Sequence, residues 1–163
     1  YYFGFHGPSI ALDTTCSSSL AGIQMAAETL SHGRAEFALA AGVNVMFESP
    51  AVSLLNMTAT ALSRDGLCKT FDFNADGFGR SEGCGVVLLC REDALSHYPA
   101  VRPIAEIMGG CLNHDGRASA LVAPNGRAQE AVMRSALQDA GISAGEVKVP
   151  FFPKYISIAS ITS

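Results

Sequence analysis

The chain has 163 residues, of which 48% are apolar and 16% charged, with a formal net charge of −4. That is one domain's worth of residues or a piece of a larger one, too apolar for a disordered chain and without the basic face that nucleic-acid phosphates require. No stretch approaches the roughly 18 apolar residues of a membrane span, and a charge content below the usual ~25% points to extensive burial.

The chain opens on Tyr1-Tyr2-Phe3-Gly4-Phe5-His6, with no Met and neither the basic nor the apolar region of a signal peptide. It reads as a mature product or a fragment. Residues 10–12 form a short apolar run and are expected to be a buried strand. Leu20, Ile23, Ala27 and Leu30 then recur at three- and four-residue steps, which predicts a helix that stops at Gly33. Residues 37–43 read as a second buried strand, so the opening suggests a parallel βαβ unit. Residues 48–83 are polar and loop-rich, with a short helix over 51–62. The continuous apolar run at 86–90 predicts a third strand and 104–108 a fourth, feeding Gly109-Gly110. A Gly/Asn/Asp-rich loop spans 113–126. Residues 128–140 predict a helix with Met133, Ala136, Leu137 and Ala140 on one face, closed by Gly141. The pattern is α/β.

The five cysteines, Cys16, Cys68, Cys84, Cys90 and Cys111, are odd in number and contain no C-x-x-C pair. A disulfide framework or zinc site is not expected, and reduced cytoplasmic thiols are the default. Asn56-Met57-Thr58 matches a glycosylation sequon by chance.

Cys16 is the sharpest chemical feature. It lies between an apolar run and a helix start, where free N–H groups and the positive end of the helix dipole favour a thiolate. The serines after it, Ser17, Ser18 and Ser19, are small enough for close substrate approach. A buried structural cysteine is the competing reading. Asp72-Phe73-Asn74-Ala75-Asp76-Gly77 begins like a calcium loop, but its twelfth position is Gly83 and Glu82 falls one short. Gly77 to Gly83 has one residue too many for a dinucleotide fingerprint and precedes a strand. Gly79-Arg80-Ser81-Glu82-Gly83 has the letters of a serine elbow without its strand-to-helix setting. Of His6, His32, His97 and His114, only His114 lies in a plausible site loop, and His32 at a helix end complements the dipole.

Several motifs in order resemble a β-ketoacyl synthase, the condensing domain of fatty acid and polyketide synthases. Gly7-Pro8-Ser9 and Asp13-Thr14-Thr15-Cys16-Ser17-Ser18-Ser19-Leu20 resemble the family's nucleophile signature, which usually has Ala at the place of Thr15. Leu62-Ser63-Arg64-Asp65-Gly66, Cys68-Lys69 and Phe71-Asp72 resemble its next block, and Ala75-Asp76-Gly77-Phe78-Gly79-Arg80-Ser81-Glu82-Gly83 the one after. Asn113-His114-Asp115-Gly116 and Ala123-Pro124-Asn125-Gly126 resemble the loop that commonly reads Asn-Gln-Asp-Gly and Ala-Pro-Asn. The style is closest to multidomain type I polyketide synthases.

The resemblance implies a thiolase-like five-layer α/β fold (αβαβα), here partial, over residues 1–146, with 147–163 a non-family tail that is disordered or misread. It makes Cys16 the acyl-accepting nucleophile and leaves His114, which stands at the family's Gln, outside the catalytic set. It implies no directly bound cofactor and no metal. The substrates are acyl and malonyl thioesters carried on the phosphopantetheine of an acyl carrier protein, and the parent protein is a homodimer, with residues 9–12 supplying dimer contacts. Neither of the family's histidine motifs, Glu-Ala-His-Gly-Thr-Gly-Thr and Asn-Ile-Gly-His, occurs in the chain. The pattern is lost near Val147, as a truncated or misread coding sequence would lose it. The chain alone is therefore expected to be inactive in condensation. The alternative is a non-catalytic, ketosynthase-like partner that only dimerises; an unrelated cysteine hydrolase does not fit the motif series.

Overall fold

The computed structural model describes residues 1–47, 62–118 and 123–147. They fall into two compact units, Tyr1–Ala41 with Val86–Ser163, and Gly42–Gly85.

In the first unit a single 3-10 turn, Thr15–Ser17, leads directly into helix α1, Ser18–Ser31. Strand β1, Phe37–Asn44, pairs with strand β2, Gly83–Cys90, in a two-stranded sheet. Asn44 at the end of β1 hydrogen-bonds the Ser81 carbonyl just before β2 begins, so the strands run antiparallel. Leu30 of α1 packs on Ala40 and Leu89, with Ile23, Ala26, Ala35 and Ala38 around them. Burying one such leucine contributes roughly 1.5–3 kcal/mol. The helix stops as expected: Gly33 turns left-handed at φ 66° and its N–H returns to the Leu30 carbonyl at 2.9 Å. The His32 Nδ1 lies 2.7 Å from the Glu28 carbonyl and, since a carbonyl only accepts, Nδ1 carries the proton.

Helix α2, Gly126–Ala140, has Asn125 as its N-cap, whose side chain accepts from the Arg127 and Ala128 amides at 3.2 and 3.4 Å. Gly141 closes it at φ 68°. Residues 109–110 tie α1 to α2. The Gly110 amide donates to Asp139 Oδ2 at 2.9 Å, and its carbonyl accepts from Gln24 Nε2 at 3.3 Å. A Cβ on Gly109 would sit 2.4 Å from the Ala140 amide nitrogen, so this crossing requires glycine.

Several expectations change. Residues 10–12 and 104–108 belong to no strand, so the parallel βαβ unit is replaced by a helix packed on an antiparallel pair. A strand is defined by its ladder, and neither segment has a ladder partner among the described residues. The run at 86–90 is a strand and extends back to Gly83. On α2, Val132 takes the half-buried place expected of Met133, which is exposed. The expected helix over 51–62 falls almost wholly, and the sequon and most of the tail entirely, outside the described residues. All five cysteines are free, and no helix among the described residues is long and apolar enough to cross a membrane.

Replacing Asn125 by Ala removes the acceptor for two α2 amides and is expected to cost about 1 kcal/mol of stability. Urea unfolding followed by helical circular dichroism measures this, and an unchanged midpoint would show the cap to be dispensable.

Candidate active site

Cys16 occupies the middle of the 3-10 turn at the head of α1, with its side chain exposed. The helix start therefore lies within two residues of the thiol, as its sequence position implies. The turn is held by its own side chains. The Thr15 amide donates to Asp13 Oδ1 at 3.1 Å, and the Thr15 carbonyl accepts from the Ser18 hydroxyl at 2.7 Å. That hydroxyl also accepts from the Thr14 amide at 2.8 Å. The Ser17 hydroxyl donates to the Thr14 carbonyl at 2.7 Å, which leaves Thr14 Oγ1 to donate to Ser17 Oγ, also at 2.7 Å. Thr15 is thereby kept at φ 57°, a left-handed conformation that β-branched residues rarely adopt.

The sequence suggests that Ser17, Ser18 and Ser19 matter through small size, which lets a substrate approach closely. Instead Ser17 is 2% exposed and fully hydrogen-bonded, so it builds the elbow and does not line an open surface. The i, i+3 and i, i+4 spacing of Thr14, Ser17 and Ser18 around a helix start is the signal that identifies this role.

The two later loop motifs of the first unit meet each other. Asn125 donates its backbone amide to Asp115 Oδ2 at 2.9 Å and its side-chain amide to the Asp115 carbonyl at 2.8 Å. Asn113 Nδ2 donates to the Ala128 carbonyl at 2.7 Å. His114 Nδ1 accepts from the Gly116 amide at 2.7 Å, so this nitrogen is unprotonated and committed to its own turn. No histidine hydrogen-bonds Cys16 among the described residues.

In the second unit the blocks at 62–72 and 75–83 also pair. Leu62 bridges Phe78, and the Ser63 amide donates to the Phe78 carbonyl at 3.0 Å. Lys69 Nζ lies 3.0 Å from Asp65 and 2.7 Å from Asp76. Cys68 Sγ accepts from the Gly79 amide at 3.1 Å. The calcium-loop carboxylates diverge: Asp72 Oδ1 accepts from the Asn74 amide, and Asp76 faces Lys69. Gly79 to Gly83 runs into β2, so Ser81 has no helix behind it.

Two family models match the chain: the β-ketoacyl synthase N-terminal domain over residues 1–94 and its C-terminal domain over residues 104–150. The chain belongs to the β-ketoacyl synthase family. It is 47% identical over 148 residues to the spectinabilin polyketide synthase system protein NorA' of Streptomyces orinoci, covering 90% of this chain and 4% of that protein. It is 41% identical over 152 residues to the erythronolide synthase EryA2 of Saccharopolyspora erythraea, over 91% of this chain and 4% of that one. Among solved structures, the oxazolomycin ketosynthase domain OzmH KS7 of Streptomyces albus superimposes with a TM-score of 0.82 at 39% identity, over 90% of this chain and 26% of its own. The ketosynthase from module 6 of the bacillaene synthase of Bacillus subtilis gives 0.75 at 34% identity, over 83% of this chain and 24% of its own. The fold is thus the thiolase-like fold of ketosynthases, and the chain spans under a tenth of these curated relatives and about a quarter of these solved ketosynthases.

The ion-pair cluster of this ketosynthase chain has a defined pH response. The Ser63 hydroxyl, and after it Lys69, holds the Asp65 carboxyl at about 2. Asp76 is lowered chiefly by Lys69, and Lys69 is raised chiefly by Asp76. Because these carboxyls fall below their ordinary value of about 4, their stabilisation is present above that pH and lost as pH falls toward 2. Lys69→Met should return Asp76 toward its ordinary range while Asp65 stays partly lowered by Ser63. Carboxyl-carbon NMR titration separates the two, and equal shifts or none would contradict this assignment.

Proposed function

We propose that this chain carries the acyl-loading site of a β-ketoacyl-[acyl-carrier-protein] synthase acting in polyketide or fatty acid assembly, with Cys16 as the nucleophile. The observation that carries the reading is the exposed thiol on a hydrogen-bonded turn at the head of a fourteen-residue helix. The Cys16 thiolate attacks the carbonyl of an acyl thioester on the phosphopantetheine arm of a carrier protein. The new C–S bond forms, the pantetheine C–S bond breaks, and the pantetheine sulfur leaves as a thiolate that takes up the proton Cys16 gave up. The developing oxyanion needs fixed donors. The Cys16 amide, in a first turn where helix geometry offers it no carbonyl, is suited to be one.

In the second half-reaction a malonyl-type extender loses carbon dioxide, its carbanion attacks the Cys16 thioester, and Cys16 is released as a thiolate. That step calls for the two histidines of the family's later motifs, which this sequence does not contain. We therefore assign loading, and not condensation, to the chain as it stands. On this reading residues 1–146 are the ketosynthase part and 147–163 a tail, of which the C-terminal family match takes in only 147–150. On the same reading the parent protein is a homodimer, as the family resemblance implies, and cytoplasmic, a placement in keeping with five free thiols.

Incubation with an acyl carrier protein bearing an acyl thioester should place one acyl group on Cys16, found by peptide mass mapping and absent in Cys16→Ala. No condensed product should form when malonyl carrier protein is added. Labelling spread evenly over Cys16, Cys68, Cys84, Cys90 and Cys111, or absent, would favour the non-catalytic partner. A condensed product would overturn the division of labour.

A further inference from the structure

The elbow holds one polar group that the loading chemistry above leaves unused. Thr15 Oγ1 lies 3.8 Å from Cys16 Sγ, within reach of an O–H···S contact, and makes no other hydrogen bond among the described residues. Its position is fixed on both sides. Asp13 holds the Thr15 amide and Ser18 holds the Thr15 carbonyl. A β-branched side chain has few χ1 choices, so a locked backbone directs the hydroxyl as well. The left-handed φ of 57° costs strain, and such strain persists only where the surroundings over-determine it.

Resting on the reading of Cys16 as nucleophile, we infer that Thr15 is a positioning residue that donates its hydroxyl proton to the Cys16 sulfur whenever that sulfur is anionic. A thiolate has lone pairs and no proton, so the hydroxyl is the donor. A thioester sulfur is a weaker acceptor, so the contact strengthens as the sulfur gains charge. It therefore acts twice: it readies the thiolate that attacks the incoming thioester, and it eases departure of the same sulfur when the acyl group is taken from it. In both steps the hydroxyl keeps its proton and only the hydrogen bond changes.

The test uses the full 163-residue chain and iodoacetamide at one fixed pH. The Cys16 thiolate displaces iodide and forms an S–C bond, and each cysteine is quantified by peptide mass mapping against time. Thr15→Ser keeps the hydroxyl and should alkylate Cys16 at close to the native rate. Thr15→Val keeps the branched shape without the hydroxyl and should slow it about threefold, because a roughly tenfold loss of thiolate, the scale of one hydrogen bond to a charged group, is about half offset by the greater nucleophilicity of the less stabilised sulfur. Thr15→Ala, which also relieves the backbone, should be as slow as Thr15→Val. Cys68 serves as the internal reference, and helical circular dichroism checks the fold.

A native rate in Thr15→Val, or a Thr15→Ser rate as slow as Thr15→Val, would overturn the inference. If Thr15→Val loses its helix signal, the Ser and Ala variants decide the matter, and equal rates for those two would overturn it. Native Cys16 reacting no faster than Cys68 would instead count against the nucleophile reading itself.

Discussion

The contact of Leu30 with Ala40 and Leu89 is the constraint on which the first unit depends. It presses α1 against the β1–β2 pair near the helix C-terminus. Ala21, 4% exposed, is buried toward the other end, five residues after Cys16. A helix held at both ends has a fixed head, and Cys16 sits on that head. The thiol can then be exposed while its backbone stays ordered, because the order comes from packing further along the helix and from Asp13, Thr14, Ser17 and Ser18 around the turn.

The same sheet explains the low charge. Ala38, Ala40 and Leu89 pack with Leu30 of α1, but their neighbours along the strands are apolar too. Leu39, Val86 and Leu88 are all at least half exposed. A strand pair apolar on both faces suits a fold of stacked layers, where each sheet is covered twice. The thiolase-like ketosynthase fold is of that kind, and the chain covers about a quarter of the length of the two solved ketosynthases above. The sequence composition and the exposed apolar strand residues therefore reflect one physical fact: these residues are suited to a deeper interior than the described part of this chain encloses.

What the sequence disclosed follows from which properties are local. Helices α1 and α2 were legible because a helix satisfies its own backbone, and their C-terminal ends were marked by Gly33 and Gly141; the Asn125 cap, which starts α2 two residues before 128, was not. Residues 86–90 were legible as a strand because β2 has a partner in β1. Residues 10–12 and 104–108 have the same apolar character, but pairing is a property of two segments, and one segment cannot display it. The position of Cys16 before a helix was legible. The hydrogen bonds that fix it were not, since the serines read first as small residues and only second as acceptors and donors. The pairing of Asp115 with Asn125, and of Lys69 with Asp65 and Asp76, joins motifs that sequence alone shows as separate blocks.

These pairings also bear on what a family signature is for. Asp65, Lys69 and Asp76 bind one another, Asp115 binds Asn125, and Asn113 holds the α2 backbone. Each of these residues is polar, sits in a loop and could be taken for catalytic machinery, yet the hydrogen bonds they make tie one segment to another; among the described residues Asp115 Oδ1 alone is buried without a partner. Cys16 differs in that, among the described residues, the one hydrogen-bond contact of its sulfur is with the Thr15 hydroxyl, and its side chain is exposed. A group with satisfied partners has little free energy to gain from a substrate, whereas an exposed sulfur beside a single donor can gain a bond and keep the donor. By that criterion the exposed sulfur is the atom of its own turn best placed to gain a bond from a substrate.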